Sequence, residues 1–387
     1  MKVAFISNFY NHHQAPFSEA MNELTRRNYR FIATAAIDDE RLSMGWGEDA
    51  VPNFVMNANE SAVVESDCHM WVDEADVVII GSAPCSWIAN RLKKGKLTFY
   101  YSERIYKKKC PIYKLPVHFL RHLKNIIRHK NLYILCASAY TASDYAKTFT
   151  FLNKAYKWGY FPELKKYDDI NRLIEDKKKG SILWVSRYID WKHPEIPVEV
   201  AKRLRDEGYD FELKMIGAGE LFEQTKSAVA EAKLESVVKV LGPVKASEVR
   251  GYMEESEIFL FTSDRNEGWG AVLNESMNSA CAVVANGAIG SVPFLLNDGE
   301  NGYIYEDGNI DDLYNKVRLL LDNSDKCKGM AKNSYATIID EWNAENAARK
   351  LIGLSEKMLA GEYKPFPYES GVCSKARIIK DNWYKKG

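Results

Sequence analysis

Residues 181–186 read Ser-Ile-Leu-Trp-Val-Ser, a run in which apolar side chains do not alternate with polar ones. This pattern is typical of a strand buried on both faces of a parallel sheet. Comparable runs lie at 211–216, 237–241, 258–261 and 282–285, and in the first half of the chain at 3–7, 30–35, 75–80, 96–101 and 132–137. Helical stretches separate the runs, so the sequence predicts an α/β fold with parallel sheets.

The length of the chain and a polar stretch near its middle predict two domains. A chain of 387 residues exceeds what one hydrophobic core usually serves, and 46% hydrophobic residues with 27% charged residues is ordinary for a soluble enzyme. We predict doubly wound, Rossmann-like domains at 1–162 and 181–365, joined by a linker at 163–180. Ligands of such folds bind beyond the carboxyl ends of the strands, so the loops there carry the functional candidates.

The loop after the 181–186 run contains two cations. Arg187 follows the strand, and Lys192 precedes a helix that begins near Pro194. A guanidinium, an ammonium and a helix N-terminus at one crevice would bind an anion. The alternative is a solvated surface pair of basic residues.

Two further loops carry suitable chemistry. The sequence Ile-Gly-Ala-Gly-Glu at 216–220 would let the backbone approach a ligand closely, although a tight turn explains its glycines equally well. The loop at 263–275 places Glu267 between polar and glycine residues, and Glu275 within the next helix. Carboxylates there could accept hydrogen bonds from sugar and ribose hydroxyls. The alternative is an exposed loop acid and an unrelated helix-surface acid.

The order of these motifs resembles the retaining glycosyltransferases of family 4. An Arg-x4-Lys loop is followed downstream by Glu-x7-Glu, and the segments 240–244, 282–285 and 301–303 are similar to the family's base-contacting segment, buried strand and short turn. The resemblance implies the GT-B fold, two Rossmann-like domains facing across a cleft. It also implies that the tail at 366–387 crosses back to the N-terminal domain.

The resemblance implies a role for each matching residue in a transfer that retains the anomeric configuration. Arg187 and Lys192 would neutralise the diphosphate of a nucleotide-sugar donor and Glu267 would hold the sugar, making these three the catalytic set. Glu275 would hold the ribose, and His193 stands where the family often has glycine, so we expect local reshaping there. The implied donor-binding set is Arg187, Lys192, Gly217, Pro243, Glu267, Gly268, Trp269, Gly270, Ala271 and Glu275.

The first half contains candidates for the acceptor side. His12 and His13 follow the first strand, in a turn that resembles bacterial relatives which assemble surface polysaccharides. The alternative for each histidine is a polar cap on the first helix. Glu103 and Arg104 follow the strand at 96–101 and would face the acceptor, whereas a salt bridge of Glu103 with Arg104 or Lys107 is the other interpretation.

The segment 91–130 carries 13 Lys and Arg residues and one acid, Glu103. Within it, residues 115–128 read as a helix with an apolar stripe and basic residues around it. Such helices bind anionic membrane surfaces, and burial of the stripe in the core is the alternative. We therefore predict a glycan or lipid-pyrophosphate-linked acceptor at the membrane.

Composition and short patterns limit the ligands, the redox compartment and the location that we expect for this protein. A formal net charge of zero gives no indication of nucleic-acid binding, and seven single cysteines fit a reducing compartment. No metal site and no cofactor are expected, since neither Asp-x-Asp nor zinc-type spacing occurs. With no signal-peptide pattern or long apolar run, we expect a cytoplasmic, peripheral protein. A sugar-nucleotide epimerase and a non-catalytic sugar-nucleotide-binding subunit are the alternative functions.

Overall fold

The computed structural model describes residues 1–37, 51–108, 111–362 and 366–385. These residues form two compact units. Unit 1 contains Met1–Glu163 and Trp342–Ile379, and unit 2 contains Leu164–Glu341 and Lys380–Gly387. None of the helices in the described ranges has both the length and the apolar character needed to span a bilayer.

Unit 1 is built on a parallel sheet of seven strands. In chain order its strands and helices are β1 (Val3–Ser7), α1 (Ala15–Leu24), β2 (Tyr29–Ala33), β3 (Val55–Asn57), α2 (Ala62–Glu74), β4 (Val77–Ile80), α3 (Ala89–Lys93), β5 (Thr98–Ser102), α4 (Leu115–His122), β6 (Leu132–Cys136), α5 (Thr141–Ala146) and β7 (Ala155–Lys157). The strand order is β3-β2-β1-β4-β5-β6-β7, and each neighbouring pair is parallel.

Unit 2 is built on a parallel sheet of six strands. Its elements are α6 (Ile170–Glu175), β8 (Lys178–Val185), α7 (Glu195–Asp206), β9 (Glu212–Ile216), α8 (Phe222–Glu231), β10 (Val238–Leu241), α9 (Ala246–Glu255), β11 (Ser256–Phe261), α10 (Val272–Asn278), β12 (Ala282–Asn286), α11 (Val292–Leu295), β13 (Tyr303–Tyr305), α12 (Ile310–Asp322) and α13 (Ser324–Asp340). The strand order is β10-β9-β8-β11-β12-β13. The predicted α/β fold with two parallel sheets is therefore confirmed.

Of the predicted linker at 163–180, all but Glu163 is instead part of unit 2. It contains α6 and the start of β8, and its Lys177 side chain is buried. The Lys177 ammonium donates hydrogen bonds of 2.8–3.1 Å to four backbone carbonyls, at Met253, Glu254, Ser256 and Ser279. The charge of this stretch predicts exposure to solvent, but Lys177 instead connects the ends of α9 and α10. Its burial is possible because the carbonyl dipoles compensate the charge.

The C-terminal part of the chain also differs from the prediction. Unit 1 takes up the chain again from Trp342, and α14 (Ala344–Leu359) packs its buried face against α1. Beyond it, Cys373 and Ala376 donate backbone hydrogen bonds to β7, so the tail covers that edge strand in an antiparallel direction. Residues 366–379 of the tail belong to unit 1, to which the prediction assigned the whole tail, and only from Lys380 onward does the tail belong to unit 2.

Candidate functional site

The loops that follow β8 and β11 lie side by side in unit 2. These two strands are neighbours at the point where the strand order reverses, and α/β sheets form ligand crevices there. Hydrogen bonds join the loops: the Asp264 amide donates to the Trp191 carbonyl at 3.0 Å, and the Thr262 hydroxyl donates to the Lys192 carbonyl at 2.7 Å. The two loops therefore form one connected piece of structure.

A buried ion pair between Lys192 and Glu267 lies at the centre of these loops. The side chains are 11% and 10% exposed, and the ammonium also lies 4.3 Å from the centre of the Trp191 ring. Arg187 is exposed, with its guanidinium 5.8 Å from the same ring. The structure thus brings Lys192 into contact with Glu267 and places Arg187 near Lys192, both against Trp191.

The glycines at 217 and 219 are required by close backbone contacts. Gly217 has φ +145°, and a Cβ there would lie 1.9 Å from the Ser186 carbonyl oxygen. A Cβ at Gly219 would lie 2.3 Å from the Tyr188 carbonyl oxygen. Because the Gly217 amide also donates to the Gly242 carbonyl at 3.4 Å, the loops after β8, β9 and β10 meet at this point. Exposed Pro243 follows directly.

The glycine-rich part of the Glu267 loop packs tightly against the sheet. Gly270 has φ +83°, and a Cβ there would meet the Phe261 ring at 2.4 Å. Gly268 is buried, Ala271 is half-buried, and the Trp269 side chain is fully buried with its indole N–H on Asn274 at 2.9 Å. The Trp269 side chain is therefore part of the core, and only the backbone of this segment is a candidate for ligand contact.

Glu275 is not part of the ion pair between Lys192 and Glu267, and its electrostatic environment is different. It lies in α10, where burial raises the pKa of its carboxyl and the charge of Arg250 opposes that shift. Arg250 in turn donates to Asn278 at 2.9 Å. Glu275 is thus a partly desolvated acid with one cation nearby, an environment suited to accepting hydrogen bonds from hydroxyl groups.

Two buried serines were not identified from the sequence. The Ser263 and Ser291 hydroxyls have no hydrogen-bond partner among the described residues, although both side chains are buried. Ser263 follows β11, and Ser291 follows Gly290, whose amide donates to the Glu267 carbonyl at 3.3 Å. Buried hydroxyls are normally paired, so these two are candidates for ligand contact. Their only sequence signal is their position after a buried strand.

His193 adopts a left-handed backbone, φ +52°, at the position where glycine was expected by resemblance. Its ring contacts Glu195 at 2.8 Å and Asp264 at 3.7 Å. Hydrogen bonds with these two carboxylates raise the pKa of His193 to about 10. The left-handed backbone at this position therefore carries an imidazolium that pairs with Glu195 and Asp264, and the local reshaping expected from the resemblance stays a prediction.

Replacement of His193 by Asn is expected to destabilise the protein in a pH-dependent way. Asn tolerates the left-handed backbone but carries no positive charge. Because the folded-state pKa lies above the ordinary value of 6.5, the stabilisation should be complete below pH 6.5 and lost as the pH rises through about 10. Urea unfolding of both proteins from pH 6 to about 10.5 measures this, and a constant difference would contradict it.

Comparison with known proteins identifies part of unit 2. Residues 166–337 match the family described as glycosyl transferases group 1. We call this region the group 1 domain, after the family that it matches. It contains Arg187, Lys192, Glu267 and Glu275, together with the loops that join them.

Relatives of the group 1 domain cover it but not the whole chain. The amylovoran biosynthesis glycosyltransferase AmsK of Erwinia amylovora is 28% identical over 46% of this chain and 44% of its own length. The N-acetylgalactosamine-N,N'-diacetylbacillosaminyl-diphospho-undecaprenol 4-alpha-N-acetylgalactosaminyltransferase of Campylobacter jejuni is 29% identical over 46% and 47%. The matched stretch thus spans about half the length of these curated relatives.

Similarity to solved structures extends over both units. Anabaena Alr3699/HepE, solved in complex with UDP, has a TM-score of 0.66 and 14% sequence identity, covering 92% of this chain and 100% of that chain. At this identity the likeness establishes the fold. Together with the two parallel sheets, it confirms the GT-B prediction.

The C-terminal tail contacts two loops and the helix α12 of unit 2. Asp381 pairs with Arg265 of the Glu267 loop at 3.5 Å. The Trp383 indole donates to the Gly287 carbonyl at 3.0 Å, and the Tyr384 hydroxyl accepts from Lys316 at 3.1 Å. The sequence predicted none of these three contacts, because the whole tail was expected to cross back to the N-terminal domain.

The acceptor candidates in unit 1 fall into two groups. His13 stacks on Tyr160 with a ring separation of 5.9 Å, and the Tyr160 hydroxyl donates to Glu103 at 2.6 Å. Burial and the charge of His12 lower the pKa of His13 to about 3, so its imidazole is neutral at pH 7. His12 is exposed, with its ring 4.0 Å from that of His13.

Arg104 lies apart from this group. It is buried, its guanidinium lies 3.6 Å from Asp144, and it stacks over Tyr140 at 4.6 Å. Arg104 therefore connects the segment after β5 to α5 within unit 1. Glu103 forms the alternative salt bridge with Lys107, at 3.0 Å, and also accepts the Tyr160 hydroxyl. No side-chain cap is formed at the start of α1, so neither histidine is the helix cap that was the alternative for them.

Proposed function

We propose that this chain is a retaining glycosyltransferase of family 4 that moves a sugar from a nucleotide-diphosphate donor to a glycan or lipid-linked acceptor. The observation that carries the proposal is the buried contact between Lys192 and Glu267 beside Arg187, at the reversal point of the group 1 domain's sheet. Cations at that point suit a diphosphate, and the carboxylate suits sugar hydroxyls.

In this proposal, binding of the donor breaks the ion pair between Lys192 and Glu267. Lys192 releases Glu267 and joins Arg187 on the diphosphate, so the positive charges stabilise the negative charge that grows on the leaving group. Glu267 then accepts hydrogen bonds from the sugar, and Glu275 from the ribose. Gly217 and Pro243 border the base. The leaving phosphate, on the same face as the acceptor, takes the acceptor's proton, and no metal or other cofactor takes part.

The acceptor side is assigned to unit 1. Neutral His13 and the Glu103 carboxylate, linked through Tyr160, are suited to hydrogen bonding with hydroxyl groups of the acceptor. His12 is exposed beside them. Arg104 is left out of this assignment because Asp144 already occupies its guanidinium. The name of the C. jejuni relative includes a diphospho-undecaprenol acceptor, which supports an acceptor of that class here.

A donor screen tests the proposal. Thermal shift is measured with a panel of nucleoside diphosphates and nucleotide sugars, in buffer containing EDTA, and the best ligand is then assayed with lipid-linked acceptors. We expect stabilisation by one nucleotide class that Arg187→Ala reduces, with transfer that EDTA does not inhibit. The anomeric configuration of the product is read by NMR. Absence of any shift, or turnover of the donor to an epimer without acceptor, would contradict the proposal.

The basic segment is proposed to place the enzyme on an anionic membrane at the cytoplasmic face. The helix α4 and its continuation leave Val117, Leu120 and Leu123 exposed by 69%, 63% and 42%, so the alternative of a fully buried stripe does not apply to them. Five nearby cations form no ion pair with a described carboxylate: Lys114, Arg121, Lys124, Arg128 and Lys130. Arg91, by contrast, is buried on four backbone carbonyls and the Thr98 hydroxyl, and cannot contribute.

Replacement of Val117 and Leu120 by Asp is expected to weaken binding to anionic vesicles by at least roughly tenfold, since two apolar contacts with the bilayer are lost. Co-sedimentation at low and high salt measures this. Val63→Asp is the matched control, because Val63 is 70% exposed on α2, outside the basic segment. Equal losses in the control and in the α4 variant would argue against α4 as the contact.

A further inference from the structure

Unit 1 contains a cavity of about 580 Å³ between the loop that precedes β7 and the C-terminal tail. Its walls include Thr150, Leu152 and Asn153 from the loop, and Lys375, Arg377 and Ile378 from the tail. A cavity of this size is within the usual range for small-molecule sites. None of these residues belongs to the site proposed for donor or acceptor.

The loop that forms one wall has an unusual backbone. Phe149, Phe151 and Asn153 all have positive φ, between +53° and +55°, which bulky residues rarely adopt. The result is that Phe151 is buried while Phe149 and Leu152 are 70% and 47% exposed. A strained loop that turns large apolar side chains outward beside a cavity indicates a contact with an apolar partner.

The tail that forms the opposite wall is cationic. The Lys375 ammonium donates to the neutral amide oxygen of Asn153 at 3.1 Å, and lies 5.0 Å from the centre of the Phe366 ring. Arg377 is exposed. Neither side chain forms an ion pair with a carboxylate in the described ranges, so both charges remain available to an anion. The cavity therefore combines two cations with an apolar rim.

The loop that lines this cavity also contacts α4. The Thr150 hydroxyl, in the cavity wall, is 3.3 Å from Nδ1 of His122 at the end of α4. Phe149 contacts Phe119 of α4, with ring centres 6.2 Å apart. The apolar side chains of α4 and those of the loop therefore lie on one connected surface, which also carries the unpaired cations of the basic segment.

We propose that this cavity is a binding site for one anionic phospholipid. The headgroup phosphate lies between Lys375 and Arg377, and the glycerol end of the acyl chains meets Leu152, Phe149 and Ile378. The proposal deepens the membrane association described above and rests on that part of the proposed function. It adds a discrete lipid site to a surface that otherwise attracts anionic membranes only through diffuse charge.

The site is tested with a double variant, Lys375→Ala with Arg377→Ala, in the full-length chain. We expect its affinity for vesicles of equal parts phosphatidylglycerol and phosphatidylcholine to fall roughly 30-fold, from two lost phosphate contacts. Binding of monomeric dihexanoyl-phosphatidylglycerol, measured by calorimetry, should disappear. The matched control, Lys202→Ala with Lys226→Ala, removes the same charge from exposed positions of unit 2 and should bind as the wild type does.

Three results would overturn the site. The first is equal loss of vesicle binding in the control, which would leave only diffuse charge. The second is unchanged binding of the short-chain lipid by the double variant. The third is binding of inorganic phosphate as tightly as the lipid, which would make the cavity a phosphate site. Donor-induced thermal shift does not depend on this cavity, so failure here with an intact shift leaves the proposed donor chemistry standing. Leu152→Asp, at a half-exposed position, gives a second test if the double variant folds poorly.

Discussion

A protein carrying both Lys192→Met and Glu267→Gln is expected to be about as stable as the wild type and to transfer no measurable sugar. Each single variant should be strongly impaired in transfer and also destabilised. The free energy of unfolding should fall by about 3–5 kcal/mol in each single variant, because one buried charge then has no partner. In the double variant no such charge remains, and a neutral replacement of a buried pair is often close to neutral in stability.

Comparison of the single variants with the double variant therefore distinguishes a loss of activity from a loss of stability. If Lys192 stabilises negative charge on the leaving diphosphate, its loss should lower the rate by about 10²–10³-fold even where folding is intact. Urea unfolding gives the free energies, and turnover of the donor found by the thermal-shift screen gives the rates. Full activity of the stable double variant would contradict the proposed site.

The matched control for this series is the pair Arg172 and Asp176 on the surface of unit 2. These side chains are 79% and 70% exposed and 3.5 Å apart. An exposed pair contributes about 0–1 kcal/mol, so Arg172→Met or Asp176→Asn should change stability by no more than this and should leave transfer unchanged. A loss as large as that in the Lys192 series would show that burial is not the cause.

Replacement of Gly217 by Ala is expected to destabilise the protein by more than about 4 kcal/mol. The added Cβ would lie 1.9 Å from the Ser186 carbonyl oxygen. Side-chain rotation cannot relieve this contact, because the backbone fixes the positions of both atoms. The loops after β8 and β9 would have to separate, which would also displace Arg187. Urea unfolding followed by circular dichroism measures the change, and failure to fold is its limiting form.

The control for that variant is Gly208→Ala. Gly208 has φ +83°, but a Cβ there would have no atom of the described residues within 4 Å, so only the left-handed backbone is penalised. We expect a cost of about 1–2 kcal/mol. The difference between the two variants isolates the close backbone approach from the conformational preference of glycine. Equal losses would mean that the contact with Ser186 relaxes at little cost.

The sequence predicted the strands of four or more residues and missed the strands of three residues. The runs at β1, β6 and β12 are continuous and apolar because both faces of these strands are covered, and their predicted positions agree with the structure to within a residue. The strands β3, β7 and β13 have three residues each and lie at or near sheet edges, so they carry too short a pattern to detect.

The prediction was wrong for two basic side chains whose charge is compensated by backbone carbonyls. Lys177 and Arg91 were assigned to a polar linker and a basic surface, but both are buried on backbone carbonyls. A sequence gives the charge of a side chain but not the number of carbonyl oxygens that converge on it. The pairing of Arg104 with Asp144 was missed for a different reason, since the two residues are far apart in the chain and only the fold brings them together.

The sequence by itself determined the α/β class of both halves, the loops that carry the donor candidates, and the likeness to family 4. These depend on apolar runs and on residue spacing, which are local properties. Only the tertiary structure decided that Lys192 contacts Glu267, that Trp269 packs in the core, and that the tail from Lys380 lies on unit 2. The contact of Lys192 with Glu267 joins residues far apart in the chain, and it arises because β8 and β11, separated by two intervening strands in sequence, are neighbours in the sheet.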